Sequence, residues 1–409
     1  MKVAVITESF PKLSETFVIS HIIGLIDSGA EVYIFALNHL SEGKIHPVVL
    51  DYKLLDISTY SPELITGKFQ RLIKGTGIVI KYIVKYPKAV LQSLNFFKFG
   101  KEALNLQRLF EVSTFFTEEQ FDIIHCHFGT TAEKIAQYQR WGLLQAPLVT
   151  SFHGFDVDDP AIRIANRYDS LKERGALYIS NSTYTKKRIV ELGFDENKIK
   201  VLPVYFDTDY FKKKNLYSGT VFQLLTVGRL VEFKGIEFSI RALALINKKN
   251  EVPFHYTIVG AGPLREQLKS LIHELNMDNY IELVGNKTQD EILELMDSSD
   301  VFLLTGVSST DGRVENQGLV IQEAQAMELP VIASDVGGIA EGMINYKTGF
   351  LVRQKDIENI AEKIIYLYLN PSERIRMGKA GRVFVQDKYS IPFSTKKLIT
   401  YYQNLIKRC

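Results

Sequence analysis

The chain has 409 residues, 46% hydrophobic and 23% charged, with a formal net charge of +2. That length suits two domains of ordinary size, and the balance excludes a disordered chain and a globally basic nucleic-acid binder. Two cysteines, Cys126 and Cys409, exclude a disulfide framework or a cysteine zinc site and fit a reducing cytosol.

The opening "MKVAVITESFPKLSETF" reads as a first strand and loop rather than a signal peptide. In the first half, short β-branched runs follow at "EVYIFAL", "FDIIHCHF", "PLVTSFHG", "ALYISNS" and "IKVLPV". After "DTDYFKKKNLYSGT" the series restarts with "FQLLTVGRL", "HYTIVGAG", "YIELVG", "DVFLLTG", "PVIASDVG" and "TGFLV". Apolar strands alternating with longer helical patterns predict parallel sheets covered on both faces. Two such series predict an α/β protein of two doubly wound, Rossmann-like domains, with ligands at the carboxyl ends of the strands. The expected boundaries are 1–207 for the first domain, 208–220 for a lysine-rich linker and 221–388 for the second. The residues 389–409 read as a closing helix, a candidate to cross back to the first domain.

The second series carries the denser set of polar candidates. In "TVGRLVEFKG", Gly228 and Gly235 flank Arg229 and Lys234 in the loop after a strand. A fork and a point charge there suit a diphosphate, although two solvated surface cations would look the same. "VGAGPLRE" holds a Gly-x-Gly, but Arg265 stands where a dinucleotide fingerprint needs its third glycine, so a tight turn explains it equally well. In "DGRVENQGLVIQEAQA" the stretch Glu315–Gly318 reads as the turn from strand to helix, where amides and the helix dipole favour an anion. Glu315 and Glu323 are eight positions apart, a rise of ~12 Å if helical. They are expected to accept hydroxyls at two ends of one ligand, unless Glu323 is only a solvated helix residue. Gly337 and Gly338 in "SDVGGIAEGM" read as a further loop of close approach.

In the first series, His153 and Asp156 follow a strand in "SFHGFD", and His125 and His127 lie in "IHCHFG". On a strand, "HCH" reads as alternating faces, so the two histidines are not expected to share an ion, and no metal is expected. "DVDD" resembles a magnesium-diphosphate motif, but cationic side chains and a helix terminus make one unnecessary.

"GRLVEFKG", "GAGPLRE", the Glu315–Glu323 spacing with Gly318-Leu319 inside it, and "VGGIAE" followed by "KTGFLV" occur in the order seen in retaining glycosyltransferases of family four. The resemblance covers nearly the whole chain and implies the GT-B fold, two Rossmann-like domains facing a cleft. "SETFV" and "DGRVENQGLVIQEAQA" resemble most the branch that builds bacterial exopolysaccharide, capsule or colanic-acid-type polymers. It implies a nucleotide-diphosphate-sugar donor, a glycan acceptor that is lipid-linked, and no cofactor. Arg229 and Lys234 would then hold the diphosphate, Glu323 the ribose and Glu315 the transferred sugar. Gly228, Gly285, Asn316, Gln317, Gly318 and Leu319 would line the donor, His153 would face the sugar, and Ser14, His127 and Asp156 are acceptor-side candidates. The sequence departs from the family at Val204-Tyr205, where Asn-Gly is usual, and in "SFPKLSETF", which lacks paired glycines. A sugar-nucleotide epimerase or a non-catalytic glycan-assembly protein of the same fold are the alternatives.

Between Lys68 and Arg108, nine basic residues face one acid, Glu102. Phe69, Leu72, Ile73, Ile80, Ile83 and Val84 recur at helical spacing, with Phe96, Phe97 and Phe99 beyond Pro87. A basic amphipathic segment of this kind suits an anionic membrane surface; an apolar stripe packed into the domain core is the alternative. A cytoplasmic protein, peripheral at the inner face of the cell membrane, is expected.

Overall fold

The computed structural model describes residues 1–12, 15–39, 45–62, 67–158, 167–214, 221–249 and 252–407. The chain forms two compact units, the first made of Met1–Asn181, Lys186–Leu202 and Thr395–Cys409, the second of Ser182–Thr185 and Pro203–Ser394.

In the first unit, strands β1 (Lys2–Phe10), β2 (Glu31–His39), β3 (Ser58–Tyr60), β4 (Ile123–His127), β5 (Leu148–Phe152), β6 (Gly175–Ser180) and β7 (Ile199–Val201) form one sheet. Its order is β3-β2-β1-β4-β5-β6-β7, and its ladders are parallel. In the second, β8 (Phe222–Val227), β9 (Phe254–Val259), β10 (Ile281–Gly285), β11 (Val301–Leu304), β12 (Val331–Ser334) and β13 (Gly349–Val352) run β10-β9-β8-β11-β12-β13. Both sheets reverse their winding beside their first strand, between β1 and β4 and between β8 and β11. In open α/β sheets that reversal is where ligands bind, beyond the carboxyl ends of the strands.

Every strand expected from the sequence is present. Among the described residues the one addition, β3, is a three-residue edge strand whose "STY" gives no apolar run to read. Both faces of the second sheet are buried, and adjacent residues of one strand serve opposite cores. Leu224, Val301, Leu303 and Ile332 pack on one side, while Leu225, Phe302, Leu304, Val331 and Ala333 pack on the other. That double burial explains the near-continuous apolar runs in the sequence. In the first unit Ala4, Ile6, Phe35, Ile124, Cys126, Tyr138 and Phe152 share one core.

The stretch expected as a linker is partly built into the second unit. Phe211 is buried in its core, and the Tyr210 hydroxyl donates to Asp290 at 2.6 Å; residues 215–220 lie outside the described ones. The last helix, Ile391–Ile406, places Leu398 and Tyr402 among the buried residues.

Candidate functional site

The β8 loop and the β11 loop meet at the switch point of the second sheet. After β8 the chain turns through a short 3-10 helix, Glu232–Lys234, which brings Lys234 back over the sheet. Lys234 Nζ donates to Glu315 Oε2, and the two side chains keep only 12% and 16% of their exposure. Glu315 Oε1 accepts from the Gly318 amide at 3.2 Å. Burial alone would push the Glu315 carboxyl up; the Lys234 charge and hydrogen bond, the Gly318 amide and Arg229 together hold it below the ordinary glutamate range. Arg229 is exposed, its guanidinium 5.9 Å from the Phe233 ring centre.

Glu323 behaves oppositely. Burial pushes its carboxyl up to about 7, and the Lys234 charge offsets this only in part. Among the described residues no hydrogen bond reaches that carboxylate. Two glutamates in the field of one lysine thus sit in opposite states, one paired and ionised, the other desolvated and near neutrality.

The helix Leu319–Ala326 starts at Gly318, whose φ of 72° no side chain adopts readily, and no side chain caps its first amides. Glu315 therefore precedes the helix by a non-helical turn, and only Glu323 is on it. The expected rise of eight helical residues between them does not occur, because Gly318 breaks the run. Gly337 and Gly338 form the loop of close approach expected. Their close approach is to the backbone of the Glu315 turn: a Cβ at Gly338 would lie 1.8 Å from the Asn316 carbonyl oxygen, and one at Gly337 2.3 Å from that of Glu315. The Gly338 amide donates to the Glu315 carbonyl at 2.8 Å. "VGGIAE" is thus the backing that shapes the Glu315 turn.

Other donor-side candidates hold one another in place. Gln317 is buried and pairs both ways with the Val204 backbone, accepting from its amide at 2.8 Å and donating to its carbonyl at 3.0 Å. The Asn316 side chain accepts from the Thr185 hydroxyl at 3.1 Å. The Gly285 carbonyl accepts from the Gly260 amide at 2.8 Å, tying β10 to the "GAG" turn, while Gly228 leaves room for the Lys234 stem, 3.3 Å from where a Cβ would stand. Leu319 is the first residue of the helix.

In the first unit the histidines of "HCH" lie on one face of β4, their rings stacked 5.3 Å apart. The reading that split them across two faces fails, since residues two apart on a strand point the same way. His21, from the helix Thr16–Asp27, joins them, and one nitrogen from each of the three lies within 4.8 Å of the others, a set that could hold a metal ion. His21 Nδ1 stands 2.8 Å from His127 Nε2. That is hydrogen-bond distance, shorter than the ~3.3 Å between two nitrogens each ~2.0–2.1 Å from a tetrahedral ion.

His153 Nε2 in turn lies 3.0 Å from His127 Nδ1, and its ring is walled by Phe17 (4.4 Å between centres) and Phe128 (4.9 Å). Phe128 has φ 70° and ψ 135°, a strained non-glycine backbone of the kind that clusters at functional sites and that sequence cannot show. Asp156 is wholly buried and accepts from the amides of Gly129, His153 and Gly154 at 2.8–3.0 Å. That corrects its reading as an acceptor-facing group: it braces the loop carrying His153. Asp158 is committed to Arg188 at 2.9 Å, so "DVDD" offers no free carboxylate pair among the described residues. His127 is buried as well, and Ser14 lies outside the described residues.

Two parallel sheets of this order, with a cationic loop and a glutamate turn at the second switch point, define a GT-B glycosyltransferase. Residues 14–210 match the model of "Glycosyltransferase Family 4", and residues 207–384 that of "Glycosyl transferases group 1". The chain is similar to the "Putative colanic acid biosynthesis glycosyltransferase WcaL" of Salmonella typhimurium LT2, with 30% identity over 89% of this chain and 90% of the relative. It is 28% identical to the protein of the same name in Escherichia coli K12 over 99% and 100%. Among solved structures, Anabaena Alr3699/HepE in complex with UDP superposes with a TM-score of 0.71 at 16% identity, over 99% of this chain and 100% of that one. The chain belongs to glycosyltransferase family four.

Proposed function

We propose that this glycosyltransferase moves a hexosyl group from a nucleotide-diphosphate-sugar to a lipid-linked glycan in bacterial exopolysaccharide assembly, retaining the anomeric configuration. The observation that carries this reading is the pairing of Lys234 with Glu315 beside a desolvated Glu323 at the β8–β11 switch point. Lys234 has three hydrogens and spends one on Glu315. The others, the Arg229 fork and the uncapped amides at Leu319 suit a diphosphate, and they stabilise the charge that grows on it as the sugar departs. Glu323, once ionised, accepts from the ribose hydroxyls, and Glu315 from a hydroxyl of the transferred sugar. No carboxylate is assigned as nucleophile, so the acceptor enters on the face the diphosphate leaves, and a departing phosphate oxygen takes its proton.

Residues 221–388 are read as the donor domain and 1–207 as the acceptor domain, with His153 as its candidate for contact with the reacting sugar. The names of the relatives support a polysaccharide acceptor, and the UDP in the structural neighbour supports a nucleotide donor.

A membrane surface is proposed as the place of work. Among the described residues no helix is long and apolar enough to cross a membrane. The stripe divides: Ile83 packs against the core, as does Phe99 beyond it, whereas Phe69, Leu72, Ile73 and Ile80 are exposed, as are Val84, Leu91, Phe97 and Leu104. Phe97 keeps 98% of its exposure and Val84 89%. Lysines and arginines intersperse this apolar surface, which suits lipid headgroups over an acyl boundary.

The test offers UDP-, GDP- and ADP-sugars with a lipid-linked glycan and reads NDP release and the anomeric configuration of the product. An inverted product would remove the retaining mechanism. Sugar epimerised without acceptor, or no turnover despite NDP binding, would remove transfer itself.

A further inference from the structure

The backbone on both sides of Lys234 is tied to the segment that continues β11. The Val307 amide donates to the Phe233 carbonyl at 3.0 Å, and the Thr305 hydroxyl donates to the Gly235 carbonyl at 2.8 Å. The residues before and after the lysine are therefore held by one short stretch, 305–307. Thr305 and Ser239 are both buried, and their hydroxyl oxygens lie 2.8 Å apart. Ser239 comes from the helix Ile236–Lys249, which begins directly after Gly235.

A threonine hydroxyl has one hydrogen to give. A carbonyl can only accept, so Thr305 spends that hydrogen on Gly235, and the hydrogen between the two hydroxyls comes from Ser239. Thr305 is thereby set: it accepts from the helix and donates to the residue that precedes it. The Gly235 carbonyl also accepts from the Phe238 amide at 3.0 Å, so the helix has its first turn without Thr305. What the hydroxyl adds is location. Gly235 has φ 60° and approaches so closely that a Cβ there would stand 1.9 Å from the Thr305 carbonyl oxygen. A glycine in that conformation has no side chain to seat it, and its neighbour Lys234 carries a long, flexible one. Holding the Gly235 carbonyl sets the root of that side chain against the same loop that leads to Glu315. Lys234 is then held at both ends, by Glu315 at the ammonium and by Thr305 and Val307 at the backbone.

We propose that Thr305 is a positioning residue that acts through Lys234: by holding the Gly235 carbonyl it fixes the lysine backbone, so that the ammonium is already in place for the diphosphate. This deepens the function proposed above and rests on it for that ligand. Every group involved belongs to the second unit.

The experiment is a double-mutant cycle on the full chain: wild type, Thr305→Val, Lys234→Ala and the two changes together. Each is titrated with UDP, GDP and ADP by calorimetry, and kcat/KM is measured with the matching sugar donors. Thr305→Val keeps the shape and loses the hydroxyl. It should weaken NDP binding and lower kcat/KM about three- to tenfold, the worth of one buried hydrogen bond. In the Lys234→Ala background the same change should cost less than about twofold, because the group it acts through is gone. Thr305→Ser keeps the hydroxyl and should return both quantities to the wild-type values. Denaturant melts follow every chain, and Thr305→Ala takes the place of Thr305→Val in the cycle if the valine does not fit. Equal losses with and without Lys234 would show that Thr305 serves the fold alone. Unchanged values in Thr305→Val would show that its hydroxyl positions nothing, and either result overturns the proposal. Coupled losses of NDP affinity in a chain that transfers no sugar would sink the proposed function and leave the positioning role standing. Normal NDP affinity and turnover in Lys234→Ala would remove both.

Discussion

Lys234 and Glu315, 81 positions apart in sequence, are partners in a largely buried ion pair that joins the loop after β8 to the turn before the helix Leu319–Ala326. The pair fixes the lysine at the switch point, where the proposed function puts the diphosphate, and holds the Glu315 carboxyl below its ordinary range. Removing either charge leaves the other buried and unmatched, so the site is sensitive from both sides. Lys234→Ala and Arg229→Ala should each lower kcat by ~10²–10³, the cost of one charged contact to developing negative charge. Both variants should keep the wild-type circular dichroism. Normal turnover in either would remove that residue from the mechanism.

Under the proposed function, Glu323 should make NDP binding depend on pH. A protonated carboxyl cannot accept from both ribose hydroxyls, so binding must first ionise a group that sits at about 7. Affinity for free NDP should rise about tenfold from about pH 6 to about pH 8, with uptake of base that calorimetry detects across buffers of different ionisation enthalpy. Glu323→Gln should weaken binding at about pH 8 and lose the pH dependence. Glu315→Ala should spare NDP affinity and slow transfer from the intact donor; equal losses in both variants would defeat the division of roles.

The same residue affects stability. Its folded value, about 7, lies above the ordinary 4.5, so the folded chain holds this proton more tightly than the unfolded chain does. Its contribution is favourable below about pH 4.5 and is lost as pH rises through about 7. Glu323→Gln should therefore stabilise the chain at about pH 8, on the order of 1–3 kcal/mol, with little effect at about pH 4.5. Denaturant melts at the two pH values decide it; equal effects at both would show that the carboxyl is ordinary.

The strands were legible because both faces of each sheet are buried, which writes them as apolar runs such as "DVFLLTG". The loops carrying Arg229, Lys234 and Glu315 were legible because strand-end loops announce themselves through glycine; Glu323, on a helix, was singled out only by its spacing from Glu315. What sequence could not show is which backbone a glycine approaches: Gly338 lies against the Asn316 carbonyl. Nor could it show the histidine cluster, in which His21 from the helix Thr16–Asp27 meets His125 and His127 of β4. The stripe at Phe69–Val84 had the period of a helix face, and period alone does not say whether that face is covered. Gly338→Ala tests the backing role directly. It should destabilise the chain by about 1–3 kcal/mol as the Glu315 turn is pushed aside. Gly77→Ala, where nothing lies within 4 Å of the added methyl, should be neutral or stabilising. A silent Gly338→Ala would mean that the turn yields without cost.

Anionic lipid is the expected partner of the exposed stripe. Phe69, Leu72, Ile73, Ile80, Val84 and Phe97 offer apolar side chains to insert, and Lys81, Lys85 and Lys88 stand exposed around them. Lys85 is paired with Glu118 at 2.6 Å, an exposed contact that phosphate headgroups readily replace. Each cation near an anionic surface adds ~1 kcal/mol, and the attraction fades within a Debye length, so binding should weaken with salt. In flotation with vesicles, the chain should rise with anionic lipid and stay down with neutral lipid. Changing Lys81, Lys85 and Lys88 to glutamate should abolish flotation by reversing the local charge, and Phe97→Ser with Val84→Ser should reduce it without changing the salt dependence. If the charge-reversed chain floats like the wild type, or the wild type does not float, the stripe serves something other than lipid.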